Sequence, residues 1–335
     1  MKRKRSWLSR RLPYIYGAFI IVGFLLVDWA GYDLLLPDPA PYRYELVSEG
    51  TIRDYPNLPL SAPETLLIRK YEARIDEDGS PFADLYVGVL GAGVSPILLD
   101  WQNASMNLEM AMAGRPKELD ELAHAIREHI PKEAVILGWW DTSRQLAALA
   151  SAQIRYQDNL PRTLFIPPNW QDDISAIQSL ESIFWRISQE AVADFDLFID
   201  ALSSQVKEGI GALQKIAGSE PAFVVLQLSD MYKVSLSRPA LVNVGFHNFT
   251  TGTEIHDDIV RVKRWLEEQQ LTNYAVEASG ITSKRVYYVR DEVSANTLIA
   301  QMLPLTGFNP TSLHGLKLVA NYGSYWVYEI LPGDA

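Results

Sequence analysis

The sequence predicts an α/β fold: a single N-terminal transmembrane helix followed by an α/β domain with a mixed sheet and a helical insertion. The apolar strand Ala134 to Leu137 runs directly into an Ala-rich helix, and another apolar strand follows at the spacing of a parallel strand–helix–strand unit. Between about 173 and 218, apolar residues recur at helical spacing, which predicts the insertion. Hairpin patterns elsewhere add antiparallel strands to the parallel unit.

The predicted elements follow from local patterns. Charged and apolar residues alternate over Leu66 to Ile75, and Leu85 to Leu90 reads as the hairpin partner of that strand. Pro116 is suited to the first turn of the next helix. The patterns then predict strand 134–140, a helix from Asp141 to about Tyr156, and strand Thr163 to Ile166. In the insertion they predict two helices with a break near Asp194 to Asp196, followed by strand Ala222 to Leu228 and an irregular region from Asp230. The predicted elements of the C-terminal part are strand Val242 to Phe249, helix Asp257 to Gln270, strands Tyr274 to Ala278 and Val286 to Val289, helix Ala295 to Leu303, and a closing hairpin of Leu316 to Ala320 with Tyr325 to Ile330.

The first 36 residues have the pattern of a membrane anchor. Six basic residues lie within the first 11 positions, and an uncharged run from Leu12 to Val27 continues, beyond Asp28 and Trp29, into further leucines. Tyr14 to about Leu34 provides the roughly 20 residues that a helix needs to cross the hydrocarbon core. Positive charge before the run favours a cytoplasmic N-terminus and export of the remainder. No small-residue cleavage site follows the run, which favours an anchor over a signal peptide.

The predicted organisation has four parts. Residues 1–11 form a cytoplasmic basic tail, 12–36 the transmembrane anchor, 37–63 a stalk, and 64–335 the α/β domain with its insertion at about 173–218. The stalk is predicted because it contains six prolines, which favour a semi-extended backbone over a helix.

The composition excludes several classes of site. The chain has 335 residues and no cysteine, which excludes disulfides, thiolate metal sites and a cysteine nucleophile. Beyond residue 11 there are 24 basic and 41 acidic side chains, a net charge of −17. Such a domain repels nucleic acid and favours a cationic partner, although the same charge also serves solubility alone. Gly91 to Gly93 lacks the Lys-Ser or Lys-Thr of a phosphate loop, and we expect no cofactor.

The junction between strand 134–140 and the following helix is the first candidate site. Ligands of open α/β sheets are usually held at the carboxyl ends of strands, where a helix begins. Asp141 is predicted as the N-cap, since its carboxylate can accept from the free N–H groups of the first helical turn.

Four neighbours of Asp141 complete this candidate binding site. Trp139 and Trp140 offer a stacking surface, and Arg144, next to Ser143, offers a guanidinium fork for a carboxylate or phosphate. The structural alternative is that one tryptophan fills the core, the other covers the sheet edge, and Asp141 only caps the helix. The two interpretations do not exclude each other.

One cluster has the composition of a metal site. His247, Glu254 and His256 are candidate ligands for a hard or borderline metal ion, with Asp257 and Asp258 beside them. The alternative is that the two aspartates favour the start of the following helix electrostatically and the histidines bind nothing.

The order of these features resembles the HaoB family, proteins of hydroxylamine oxidation that accompany an octahaem hydroxylamine oxidoreductase. The resemblance rests on the basic tail, anchor and stalk, on Gly-Trp-Trp-Asp-Thr-Ser-Arg-Gln at 138–145, and on Phe246-His247 with Ile255-His256. It implies a membrane-anchored periplasmic protein, and with the N-terminal pattern this predicts a single-pass inner-membrane protein with a cytoplasmic N-terminus and its bulk in the periplasm. It also implies an accessory role whose activity is not established for the family.

A more distant resemblance concerns the fold. Trp139-Trp140-Asp141 with Asp158-Asn159, and Gly315 to Val319 with Trp326 to Glu329, resemble the soluble domain of oligosaccharyltransferase catalytic subunits. In that family the motif continues with Tyr-Gly and helps to hold the hydroxyl residue of the acceptor peptide. Here Thr142-Ser143 follow, and the multi-span membrane half is missing from the pattern. The resemblance therefore implies no glycosyl transfer, and at most a peptide- or partner-binding corner.

Three hypotheses for function follow. The first is a non-catalytic accessory protein that docks or organises a periplasmic multihaem hydroxylamine oxidoreductase, or another cytochrome, through Trp139, Trp140, Asp141 and Arg144. The second is a metal-dependent periplasmic enzyme that uses the histidine cluster. The third is a glycan- or peptide-binding domain that uses the tryptophan corner.

Overall fold

A computed structural model describes residues 39–91, 93–103, 115–160, 168–188, 192–250, 255–278, 283–305 and 313–333. Its strands are β1 (Tyr42–Gly50), β2 (Leu67–Ile75), β3 (Pro81–Val89), β4 (Ile97–Asn103), β5 (Val135–Gly138), β6 (Gln153–Ile154), β7 (Ala222–Gln227), β8 (Val244–Thr250), β9 (Tyr274–Ala278), β10 (Ser283–Val289), β11 (Leu316–Tyr322) and β12 (Tyr325–Ile330). Its helices are α1 (Pro116–His129), α2 (Trp140–Ala150), α3 (Ile174–Trp185), α4 (Val192–Ser203), α5 (Val206–Ala217), α6 (Asp230–Ser237), α7 (Ile255–Glu268), α8 (Glu292–Ala295) and α9 (Leu298–Met302).

Two predicted segments lie outside the described residues: the anchor at 12–36, with the tail before it, and the strand Thr163 to Ile166. Across the described ranges, no helix is long and apolar enough to cross a membrane.

The central element is a mixed five-stranded sheet in the order β11-β12-β7-β5-β6. β5 runs parallel to both β6 and β7, whereas β12 is antiparallel to β7 and to β11. The predicted mixed sheet is therefore confirmed. The parallel partner that follows α2 along the chain is the two-residue β6, which lies ahead of the strand expected at 163–166.

The central sheet is buried on both faces, as its near-continuous apolar strands require. Val224 and Leu226 face a core built mainly with α4, α5 and α9, whereas Phe223 and Val225 face a second core with α1 and α2. This alternation follows from the two-residue period of a strand.

The four-stranded antiparallel sheet β1-β2-β3-β4 packs beside the second core, and its other face packs against α3. The sheet corrects the predicted stalk at 37–63. Residues Tyr42–Gly50 form β1, paired in register with β2, and Leu58 and Leu60 are buried. The prolines flank β1 without entering it, so the segment can complete its hydrogen bonds with β2.

The helical insertion contains three helices, α3, α4 and α5, rather than two. The break predicted near Asp194 to Asp196 lies inside α4, where Asp194 occupies the first turn. A carboxylate is stabilising at that end of a helix, so this position marks a helix start more than a break. Similarly, α2 ends at Ala150 and not at about Tyr156, because Ser151 adopts a left-handed backbone with φ of 54°.

The antiparallel sheet β8-β10-β9 is covered on one face by α7, through Val262 and Leu266 packed on Phe249 and Val286. Its other face contributes Val244, Tyr287 and other side chains to the main core. The predicted strands, the long helix and the C-terminal hairpin are thus confirmed in this part, although the helix expected at 295–303 is divided into α8 and α9.

Candidate functional site

The junction of β5 with α2 differs from the prediction in its cap. The residue in the N-cap position is Trp139, with φ of −56° and ψ of 141°, and Asp141 is the second residue of the helix. Asp141 still serves the first turn, because its Oδ1 accepts from the N–H of Thr142 at 2.6 Å. Trp139 takes the cap position because its side chain, fully buried, packs edge-on against Phe195 at 5.1 Å and fixes where the strand ends.

The carboxyl ends of β5 and β7 form a switch point of the sheet. The two strands are adjacent and parallel, yet the helices that follow them pack on opposite faces. Leu146 and Leu149 of α2 enter the second core, whereas Met231 and Val234 of α6 enter the first. A crevice at such a point is where open α/β sheets hold ligands.

Lys233 lies at this switch point and joins the two helix starts. Its Nζ is 3.1 Å from Oδ2 of Asp141 and 2.9 Å from Oδ1 of Asp230. Asp230 also accepts, through Oδ2, from the backbone N–H of Gln227 at 2.8 Å. The lysine lies 5.4 Å from the ring centre of Trp139, within cation–π range.

Burial decides the electrostatics of this group. The side chain of Asp230 is fully buried, that of Lys233 is 14% exposed, and that of Asp141 is 24% exposed. Burial opposes the lysine charge, but the two carboxylates outweigh it and raise the pKa of Lys233. Burial raises the pKa of Asp230, against the lowering effect of Lys233. Lys233 is therefore a protonated side chain fixed by two ion pairs, and not a free base or nucleophile.

A second polar cluster is formed by Arg115, Glu118, Glu277 and Ser324. The buried Tyr325 interacts electrostatically with charges of both clusters, and its pKa is raised by burial and by the negative charges of Asp141, Asp230 and Glu118. Arg115 pairs with Glu277 of β9 at 3.1 Å and with Glu118 of α1 at 2.9 Å. Glu118 in turn accepts from the N–H and the hydroxyl of Ser324, at 2.8 and 2.7 Å, in the turn between β11 and β12. These contacts fasten the three-stranded sheet to the hairpin of the central sheet.

Arg144 and Ser143 are not available to a ligand in this conformation. The guanidinium of Arg144, 4% exposed, donates to the carbonyls of Ser95 and Pro96, at 2.6 and 2.8 Å, and to Oδ1 of Asn159. Desolvation lowers the pKa of Arg144 to about 10. Ser143 is fully buried, and its hydroxyl has no hydrogen-bond partner among the described residues.

The two tryptophans are placed differently. Trp139 lies in the core, as the structural alternative supposed for one of them, whereas Trp140 is half-buried and packs against that core. Neither indole N–H has a hydrogen-bond partner within the part of the chain that the structure describes. Trp140 and Asp141 are therefore the members of the predicted corner that retain some exposure.

The predicted metal cluster is described in part. Glu254 and the side chain of His256 lie outside the described residues, and the metal prediction stays a prediction. His247 is exposed on β8 and stacks on Trp265 with ring centres 4.6 Å apart, and burial against its neighbours lowers its pKa. Within the described ranges no group of three His, Asp or Glu side chains could hold a metal ion.

A separate groove of about 350 Å³ lies between α6 and β8. Its walls include Tyr232, Leu236, Phe246 and Arg290, and none of the predicted binding or metal residues lines it.

The sequence does not predict Lys233 and Asp230 as site residues, because the segment from Asp230 is expected to be irregular. The available signal was a repeat of the β5–α2 pattern: a buried strand, Ala222–Gln227, followed after two residues by an acidic residue and, three places later, a lysine. That pattern predicts a helix start with a charge pair along one face.

Comparison with known proteins identifies the chain. The family model described as HaoA-associated protein HaoB matches residues 9–330. The chain belongs to this family. The HaoB resemblance read from the sequence is thereby confirmed, and the matched residues include the β5–α2 junction and Lys233.

Other comparisons add little to the HaoB assignment. No curated protein matches the chain. Among solved structures, the crystal structure of the C-terminal globular domain of an oligosaccharyltransferase from Archaeoglobus fulgidus matches 64% of this chain and 96% of its own, at 12% identity and a TM-score of 0.29. That TM-score is too low to establish a shared fold.

Proposed function

We propose that this protein is a membrane-anchored periplasmic accessory protein of hydroxylamine oxidation, which docks a multihaem hydroxylamine oxidoreductase and catalyses no reaction itself. The observation that carries the proposal is the match of residues 9–330 to the family of HaoA-associated protein HaoB. The basic tail and apolar run of the first 36 residues support the anchored location.

The docking corner is narrower than the sequence alone suggested. Asp141 and Trp140 form its accessible part, while Trp139 and Arg144 support it from the core and from the β3–β4 loop. A partly exposed carboxylate beside a half-buried indole suits a cationic side chain of the partner, which can share the carboxylate with Lys233 and lie over the indole. The net charge of −17 beyond residue 11 supports attraction of a cationic surface at long range.

The test is co-purification of the full-length protein from detergent-solubilised membranes of its host at low and high salt, with haem absorbance recorded on the same fractions. Two variants are compared with the natural protein. Asp141→Asn removes one negative charge at the corner, and Glu121→Gln removes one from the exposed face of α1.

We expect a multihaem oxidoreductase to co-purify at low salt and to be lost at high salt, because charge steering is screened. Asp141→Asn should lower recovery severalfold, while Glu121→Gln should leave it near that of the natural protein. Recovery of the natural protein without a haem partner at low salt would refute docking. Equal losses from both variants would instead assign the attraction to overall charge.

A further inference from the structure

A buried carboxylate of α3, packed against the four-stranded sheet, accepts hydrogen bonds from three aromatic side chains. Glu181 of α3 is 2% exposed. Its Oε1 accepts from the hydroxyl of Tyr42 at 2.6 Å and from the hydroxyl of Tyr44 at 2.7 Å. Its Oε2 accepts from the indole N–H of Trp185 at 2.7 Å. The two tyrosines share one face of β1, and Trp185 lies one helical turn from Glu181.

The donors to Glu181 are neutral. No lysine, arginine or histidine forms an ion pair with it in the described part of the chain. Burial raises the pKa of Glu181, and the three hydrogen bonds oppose that rise. Removing a carboxylate from water without a neighbouring cation is energetically unfavourable, so Glu181 is a buried proton acceptor whose charged form is destabilised by desolvation.

The rings around Glu181 form a chain of contacts that reaches the surface. Trp170, half-buried, stacks on Tyr42 with ring centres 5.2 Å apart. Tyr42 meets Tyr44 edge-on at 5.7 Å, and Tyr44 contacts Phe184 at 4.1 Å. Electron-rich side chains are therefore in contact from a partly exposed indole to the hydroxyls that face the carboxylate.

We propose that Tyr42 and Tyr44, with Glu181, form a site of reversible one-electron oxidation. A strong outer-sphere one-electron oxidant, such as a high-potential metal complex, takes one electron from the phenol by way of Trp170. The phenolic O–H bond breaks and an O–H bond forms on Oε1 of Glu181. The products are a neutral tyrosyl radical, a neutral carboxylic acid and the reduced oxidant, and return of one electron sends the proton back to the phenol.

The charge balance of the site favours this step. In this proposal Glu181 is ionised, in keeping with its two oxygens accepting three hydrogen bonds, so the site holds one buried negative charge before oxidation and none afterwards. A low-dielectric environment therefore promotes loss of the electron, whereas oxidation of a buried phenol without an acceptor would create a buried positive charge. Tyr156 provides the contrast: it is 2% exposed, lies against Phe195 and Phe198, and its hydroxyl has no hydrogen-bond partner among the described residues.

The experiment uses the full-length protein in detergent with a photogenerated ruthenium(III) tris-bipyridine oxidant and needs no partner protein, so its result is independent of the docking proposal. Tyrosyl radical is followed by transient absorption and electron paramagnetic resonance. The variants are Tyr42→Phe/Tyr44→Phe, Glu181→Gln, and Tyr156→Phe as the matched control. Thermal unfolding of each variant reports folding.

We expect the natural protein and Tyr156→Phe to give the radical alike, and the double tyrosine variant to lose it. Glu181→Gln removes the base and should slow radical formation by on the order of 100-fold. In the natural protein the reaction should be slower in D₂O, a readout that does not depend on any variant folding. Absence of a tyrosyl radical in the natural protein, or a radical that persists in the double variant, would overturn the proposal. So would an unchanged rate in folded Glu181→Gln.

Discussion

Replacement of Lys233 by methionine isolates the energetic role of the ion pairs at the carboxyl ends of β5 and β7. The substitution keeps the length of the side chain and removes the cation that lies 2.9 Å from Asp230 and 3.1 Å from Asp141. Asp141 is partly exposed and can be hydrated, but Asp230 is fully buried. Removing one partner of a buried pair costs about 3–5 kcal/mol, and we expect a loss of that size at pH 8.

The loss should depend on pH in a defined direction. Burial already raises the pKa of Asp230 above its unfolded value, and loss of the lysine raises it further. The native state then binds the proton more tightly than the unfolded state, so stability falls as pH rises between the two pKa values. Relative to the natural protein, Lys233→Met should therefore recover part of its stability at pH 5.

Urea unfolding of the full-length protein in detergent, followed by tryptophan fluorescence at pH 5 and pH 8, measures both effects. Lys263→Met, on the exposed side of α7, is the control and should change stability by less than about 0.5 kcal/mol. The double variant Lys233→Met/Asp230→Asn should be more stable than Lys233→Met alone, because the buried charge is gone. A loss below about 1 kcal/mol at pH 8, or an equal loss at both pH values, would refute the reasoning.

Three further predictions concern packing and polar contacts. In α5, Gly209→Ala should lower the stability by about 1–3 kcal/mol, because the new Cβ would collide with a backbone carbonyl of α4 and lie 2.8 Å from a leucine of α9. Gly211→Ala has open space around it and should be neutral or stabilising by up to about 1 kcal/mol. Thermal unfolding compares the two variants. Arg144→Met should lower stability by about 2–3 kcal/mol in the urea assay, since two loop carbonyls and an amide lose their donor, and a loss within error would contradict the role assigned to this guanidinium. Burial raises the pKa of Glu118, but hydrogen bonds from Ser324 and a neighbouring arginine outweigh burial and lower that pKa. The ionised Glu118 therefore stabilises the fold above its unfolded pKa, and this stabilisation is lost as pH falls through the folded pKa. Glu118→Gln should be less stable than the natural protein at pH 7 in the urea assay, and the difference should shrink at pH 3.5.

Much of the fold could be predicted because its signals are local. Strands β2, β7 and β9 and the helices α1 and α7 appear close to the predicted residues, since each carries its own apolar periodicity. The stalk was wrong for a physical reason: β1 is stabilised by pairing with β2, and the prolines around it dominated the local pattern. The helix end at Ala150 depends on the left-handed backbone of one residue, Ser151, and the residue types around it do not predict that conformation.

The candidate site divides in the same way between sequence and tertiary structure. Local sequence patterns are enough to predict that a strand end and a helix start meet near Asp141, that two tryptophans lie there, and that the chain has the features of the HaoB family. Long-range packing is needed to see that Trp139 faces the core, that Arg144 donates to loop carbonyls, and that Lys233 lies between Asp141 and Asp230. Arg144 and Pro96 are 48 positions apart, and Lys233 and Asp141 are 92 positions apart. The contact between Lys233 and Asp141 depends on β5 and β7 being adjacent, a non-local pairing that periodicity within either segment cannot encode.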